Sequence, residues 1–75
     1  MQVYDDKMKI YLNNNECFLI NKTLFLKKRG CLFKITKIKD LGFDLECNKG
    51  LRFFNSICST LDIALELVEI LCNTL

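Results

Sequence analysis

The chain has 75 residues, of which 51% are hydrophobic and 27% charged, and its formal net charge is +2. This length predicts one domain, near the size at which a single core becomes marginal, and the apolar content excludes a disordered tail. The sequence holds no apolar run long enough to span a bilayer, and residues 1–7 lack the basic start and apolar middle of a signal peptide. We therefore expect a single cytoplasmic domain covering residues 1–75.

The first half of the chain reads as short strands separated by polar turns. Residues 7–12 alternate between apolar and polar side chains, which predicts a half-buried strand. The asparagine cluster at 13–15 predicts a turn, and residues 17–20 are apolar on both faces of a second strand. Residues 21–22 form either a tight turn before a strand at 23–27 or a bulge within one long strand.

The second half of the meander alternates glycine-containing turns with further strand patterns. In the longest of these strands, Cys31, Phe33 and Ile35 share one face, and Leu32 and Lys34 lie on the other. The predicted strands are residues 31–39, 43–47 and 51–54, and the predicted turns are 27–30, 40–42 and 48–50.

The hairpin around residues 40–42 has a preferred register. A two-residue turn at Leu41–Gly42 would set opposite charges across from each other, which is mildly favourable. The predicted cross-strand pairs are Lys39–Asp44, Ile38–Leu45 and Lys37–Glu46.

Residues 56–73 have the only long helical periodicity. Asn55, Ser56 or Ser59 can cap the start, and Ser59 with Asp62 approximates a capping box. The predicted buried stripe comprises Ile57, Leu61, Ala64, Leu65, Val68, Leu71, Cys72 and Leu75.

The same helix carries more apolar surface than one interface needs. Ile63, Leu67 and Ile70 form a second stripe, and Glu66 and Glu69 supply a polar rim beside it. Exposed ridges of this kind mark partner sites, so these five residues are the candidate partner-binding set. The alternative is that the sheet or the N-terminal segment covers the stripe, which would make it ordinary core.

These patterns predict an α+β fold. A small antiparallel β-sheet of four to six strands, at about residues 7–54, precedes one C-terminal α-helix at about 56–73. Such a sheet cannot bury its apolar face unaided, so we expect the helix to pack on it. The main alternative is a sheet curled into a small barrel with the helix appended.

The chemistry of the side chains argues against catalysis. The chain has no His and no Walker A, GxGxxG or HExxH motif. Its five cysteines are scattered without a CxxC pair, so we expect no metal site and no disulfide framework, and we interpret the thiols as small buried packing residues. No enzyme activity, cofactor or small-molecule substrate is predicted.

Charge is distributed unevenly along the chain. Residues 1–55 hold all eleven Lys and Arg, whereas residues 56–75 hold three acids and no base. A nucleic-acid-binding surface is therefore the alternative function, with Tyr11 and Phe25 available for stacking. Its candidate basic residues are Lys27, Lys28, Arg29, Lys34, Lys37 and Lys39.

The preferred hypothesis is a small non-catalytic protein-binding domain. It would act as an inhibitor or regulatory protein through the apolar helix ridge and the basic sheet surface, with a protein partner or a second copy of itself as target. Richness in Lys, Asn and Ile is typical of AT-rich coding. This composition and the lack of enzymatic motifs favour a phage or mobile-element product that blocks a host defence complex.

Overall fold

The computed structural model describes residues 8–75, which form one sheet and one helix. The helix α1 follows the last strand, and no helix within residues 8–75 is long and apolar enough to cross a membrane. The elements are β1 Met8–Leu12, β2 Asn15–Ile20, β3 Thr23–Lys28, β4 Cys31–Ile38, β5 Gly42–Lys49, β6 Arg52–Cys58 and α1 Leu61–Thr74.

The sheet is an antiparallel meander in which every strand pairs with its neighbours in sequence, in the order β1-β2-β3-β4-β5-β6. β1 and β6 lie at the two edges, so the sheet is open and the alternative of a closed barrel is wrong. The predicted α+β class, with a strand meander followed by one helix, is confirmed.

Most of the predicted turns are confirmed, with shifts at their ends. Asn13 and Asn14 both have positive φ angles of 50° and 66°, which suits the tight β1–β2 hairpin. Residues 21–22 form a tight turn between β2 and β3, not a bulge. Lys27 and Lys28 belong to β3, so the turn before β4 comprises only residues 29–30.

The predicted register of the β4–β5 hairpin is wrong by three residues. Ile38 pairs with Gly42 across a three-residue loop, and Ile35, not Ile38, lies opposite Leu45. An odd shift exchanges the two faces of a strand, so the predicted register would have put Leu45 on the face opposite Ile35. Burial of the apolar set outweighs the weak charge pairing. The observed pairs include Lys34–Glu46 and Thr36–Asp44.

The helix begins at Leu61, about five residues later than the periodicity predicts. Residues 55–58 continue β6 and pair with β5, so neither Asn55, Ser56 nor Ser59 caps the helix. Thr60 is the N-cap, and its hydroxyl accepts a 3.2 Å hydrogen bond from the Ile63 amide. Ile57 therefore leaves the predicted helical stripe and lies on the sheet, 53% exposed.

The core lies between α1 and one face of the sheet. The helix packs on β4, β5 and β6, centred on β5. Its buried residues are Ala64, Leu65, Val68, Leu71 and Cys72, five of the eight predicted for the stripe. They meet a sheet layer of Cys17, Leu26, Cys31, Phe33, Ile35, Leu45, Cys47 and Cys58.

Candidate functional site

The face of the sheet that points away from α1 carries apolar side chains of its own. Side chains alternate across a strand, so the neighbours of the buried sheet residues point to this second face. We call it the open face. Its apolar residues are Tyr11, Phe18, Ile20, Phe25, Leu32, Ile38, Phe53 and Ile57, and its charged residues are Lys9, Lys27, Lys34, Glu16, Asp44 and Glu46.

Cross-strand pairing brings two aromatic residues of the open face together. Phe18 and Phe25 lie directly opposite each other on β2 and β3, and both are half-buried. Tyr11, Leu32 and Phe53 are 66%, 54% and 62% exposed. A shallow depression of about 300 Å³ lies among Phe18, Phe25, Leu32 and their neighbours Glu16, Leu26 and Lys27.

The charges of the open face balance each other. Among residues 8–75 this face holds three lysines and three acids. Lys9 Nζ lies 3.5 Å from Glu16 Oε2, and Lys34 lies opposite Glu46 in the register of β4 and β5. The result is a nearly neutral surface on which apolar side chains alternate with charged and polar ones, not a basic groove.

The structure disperses the six basic residues considered for nucleic-acid binding. Lys27 and Lys34 lie on the open face, whereas Lys37 lies on the helix-bearing face, with its Nζ 5.3 Å from the centre of the Phe43 ring. Lys39 lies in the β4–β5 loop, at the end of β4 opposite the turn that holds Arg29. Lys28 faces the helix. They do not form one continuous patch.

Lys28 and Arg29 connect the β3–β4 hairpin to α1. Lys28 Nζ donates to Glu69 Oε2 at 2.5 Å, Asn15 Nδ2 donates to the same oxygen at 3.3 Å, and Arg29 Nη1 donates to Asn73 Oδ1 at 2.9 Å. The hydrogen bond from Lys28, followed by that from Asn15, holds the pKa of Glu69 below its usual range. This pair of basic residues therefore helps to orient the helix.

The helix ridge predicted for partner binding is exposed in part. Ile63 and Ile70 are 43% and 56% exposed, whereas Leu67 is half-buried and packs against the core. Glu66 is exposed. Glu69 lies about 160° around the helix axis from Leu67 and is engaged by Lys28, so it is not at the rim of the ridge.

All five cysteines are free and buried, which confirms their interpretation as packing residues. Burial, and then the proximity of Cys31, raises the pKa of the Cys47 thiol to about 11. Burial also raises the pKa of Cys17 and Cys58. Within residues 8–75, no group of three or more His, Cys, Asp or Glu side chains is arranged to hold a metal ion.

The raised pKa of Cys47 predicts an alkaline limit to stability. Well below its ordinary pKa of 9.0 this thiol is neutral in both folded and unfolded chains, and its favourable contribution is complete. As the pH rises towards 11, the unfolded chain loses its proton first, so the contribution is lost. The difference in urea midpoint between wild type and Cys47→Ala should therefore be smaller at pH 10.5 than at pH 8. Parallel pH dependence in the two proteins would contradict this assignment.

Four residues of the open face are not among the candidate site residues predicted from the sequence. The sequence patterns place Phe18, Leu32, Phe53 and Ile57 in strands or in the helix, but not in a site. The signal was present in the alternation, since each directly neighbours a residue of the opposite face. The alternation separates the two faces of each strand. Which face is exposed is known only once the structure shows that the helix covers one of them.

Comparison with known proteins adds no relative to this description. No protein-family model matches the chain, and no curated protein or solved structure shows significant similarity to it.

Proposed function

We propose that this chain is a small non-catalytic protein-binding domain that recognises its partner through the open face of the sheet. The observation that supports the proposal is the exposure of Tyr11, Leu32, Phe53 and Ile57 on a face that α1 does not cover. Several exposed apolar side chains on one face, interspersed with polar ones, are a feature of interaction sites. An inhibitor or regulatory subunit is the class of function that such a domain serves.

The exposed apolar residues would contribute to the free energy of binding, in addition to polar contacts. Fully burying an exposed Leu or Phe side chain contributes about 1.5–3 kcal/mol. A micromolar Kd corresponds to about −8 kcal/mol. Leu32 and Phe53 are 54% and 62% exposed, so each would supply part of such a contribution as an anchor. Tyr11 lies on β1, three strands from Leu32, and would supply a separate point of contact.

Charge favours a protein partner over a nucleic acid. A single strand would require an excess of Lys and Arg along the surface to displace counterions. The open face instead pairs Lys9 with Glu16 and sets Lys34 opposite Glu46. Nucleic-acid binding therefore remains the second candidate, supported by the stacking surfaces of Tyr11 and Phe25 alone. A phage origin and a host defence complex as target stay predictions from composition.

The test is affinity capture with three versions of the chain, using extract from the cells that encode it. Leu32→Glu places a charge at the centre of the open face, whereas Leu51→Glu makes the same change at a fully exposed position in the β5–β6 turn. We expect wild type and Leu51→Glu to retain the same protein after nuclease treatment, and Leu32→Glu to lose it. Circular dichroism checks that both variants stay folded.

Two outcomes would refute the proposal. If Leu32→Glu and wild type captured the partner equally, the open face would not be part of the interface. Capture that disappears on nuclease treatment, and falls steeply with salt, would favour the nucleic-acid alternative.

A further inference from the structure

The last strand, β6, is an unprotected edge of the sheet. Its residues pair with β5 in seven consecutive positions without a bulge, and no other strand within residues 8–75 pairs with its outer side. An edge strand presents a row of backbone N–H and C=O groups that no neighbouring strand pairs, and another extended strand can pair with the whole row. The partner that suits this edge is therefore a β-strand.

Proteins normally protect such edges, and β6 lacks the usual protections. Shortness, lysines, proline and bulges discourage pairing with other chains. The other edge strand, β1, has five residues and carries Lys9. β6 has seven residues, its single charge is Arg52 at one end, and the chain contains no proline. β6 is therefore the edge of this sheet that is better suited to accept a further strand.

The sequence of β6 is complementary to itself in antiparallel pairing. With a two-fold axis at Asn55, Phe53 of one copy lies opposite Ile57 of the other on the open face. Both side chains are more than half exposed in the single chain. The two Arg52 residues then lie about 20 Å apart, well beyond the Debye length of about 8 Å. Self-pairing thus joins apolar residues without bringing like charges together.

The two flanks of α1 face different edges of the sheet. The flank that carries Glu69 contacts β2 and β3, so the flank that carries Leu67, about 160° around the helix, faces the β6 side. Ile63 and Ile70 lie about 120° and 100° from Glu69 and point mainly away from the sheet. Pairing through β6 would set the two β5 strands, and the helices over them, about 14 Å apart. A helix with its side chains is about 10–12 Å wide, so the two helices would fit side by side with little more than one water layer between them.

From these observations we propose that the chain forms a two-fold symmetric dimer in which the two β6 strands pair antiparallel and join the sheets into one of twelve strands. The occupant of the edge is a second copy of the chain. Both open faces stay uncovered in this arrangement, so the dimer is independent of the proposed function and would present two partner-binding surfaces.

The test measures solution mass by light scattering across a range of concentrations. Wild type should have twice the 8.8 kDa mass of the chain. Ile57→Lys, at the edge, should raise the dimer Kd by about tenfold or more, because edge lysines oppose strand pairing. Leu32→Lys is the matched control. Leu32 lies on the same face as Ile57 and is 54% exposed, against 53% for Ile57, but it belongs to a central strand. This variant should therefore remain dimeric.

A second measurement uses wild type alone, in case a variant fails to fold. Hydrogen–deuterium exchange at residues 52–58 should slow as the concentration rises through the dimer Kd, while exchange in β1 stays constant. A mass of 8.8 kDa up to about 1 mM would overturn the proposal. The proposal would also be overturned if Leu32→Lys dissociated the dimer and Ile57→Lys did not. Hydrogen exchange at residues 52–58 that does not depend on protein concentration would do the same.

Discussion

Gly42→Ala should destabilise the fold more than any other glycine substitution. Gly42 has a φ angle of +112°, and a Cβ built there would lie 2.2 Å from the carbonyl oxygen of Cys58 and 3.1 Å from the Cα of Ser59. These are backbone atoms, so no side chain can move aside. Strain of this kind, together with the clash, should cost about 3–5 kcal/mol, comparable with the whole stability of a domain this small.

Gly50→Ala is the matched control. Gly50 also has a positive φ angle, +60°, but nothing lies within 4 Å of the added Cβ. Its cost should be only that of the left-handed conformation, about 1–2 kcal/mol. Urea denaturation followed by circular dichroism measures both changes. Equal losses for the two variants would mean that the start of β5 does not approach the end of β6 as closely as described.

Leu45→Ala should produce the second large loss. Leu45 lies on β5 beneath the helix and is completely buried, opposite Ile35 of β4. Removing a buried leucine side chain loses its transfer free energy and leaves a cavity, which together cost about 2.7–5 kcal/mol in comparable cores. The thermal midpoint should fall by at least about 10 °C for a domain of this size.

Leu32→Ala is the control for Leu45→Ala, because it makes the same change in a strand at an exposed position. Leu32 lies on the neighbouring strand β4, but on the open face, and it is 54% exposed. The same chemical change should therefore alter the free energy of unfolding by about 0.5 kcal/mol or less. A Leu32→Ala loss as large as that of Leu45→Ala would show that the open face is covered in the folded protein.

Local sequence determined much of this molecule. The alternate spacing of Cys31, Phe33 and Ile35 predicts both the strand and its buried face, because side chains on a strand point alternately to its two sides. Turn residues such as Asn13–Asn14 predict the hairpins, because their side chains tolerate positive φ angles. The helical spacing of Ala64, Leu65 and Val68 likewise predicts the face of α1 that packs on the sheet.

Only the tertiary structure decided the register, the start of the helix and the location of the surfaces. The β4–β5 register depends on placing Leu45 and Ile35 in the same layer, a contact that local charge pairing does not detect. Residues 55–58 have a pattern compatible with a helix, yet they pair with β5. Lys28 and Lys34 look alike in the sequence, but one binds Glu69 on the helix and the other lies on the open face. The chain thus determined its elements through short-range geometry, while contacts between distant residues determined which surfaces remain exposed.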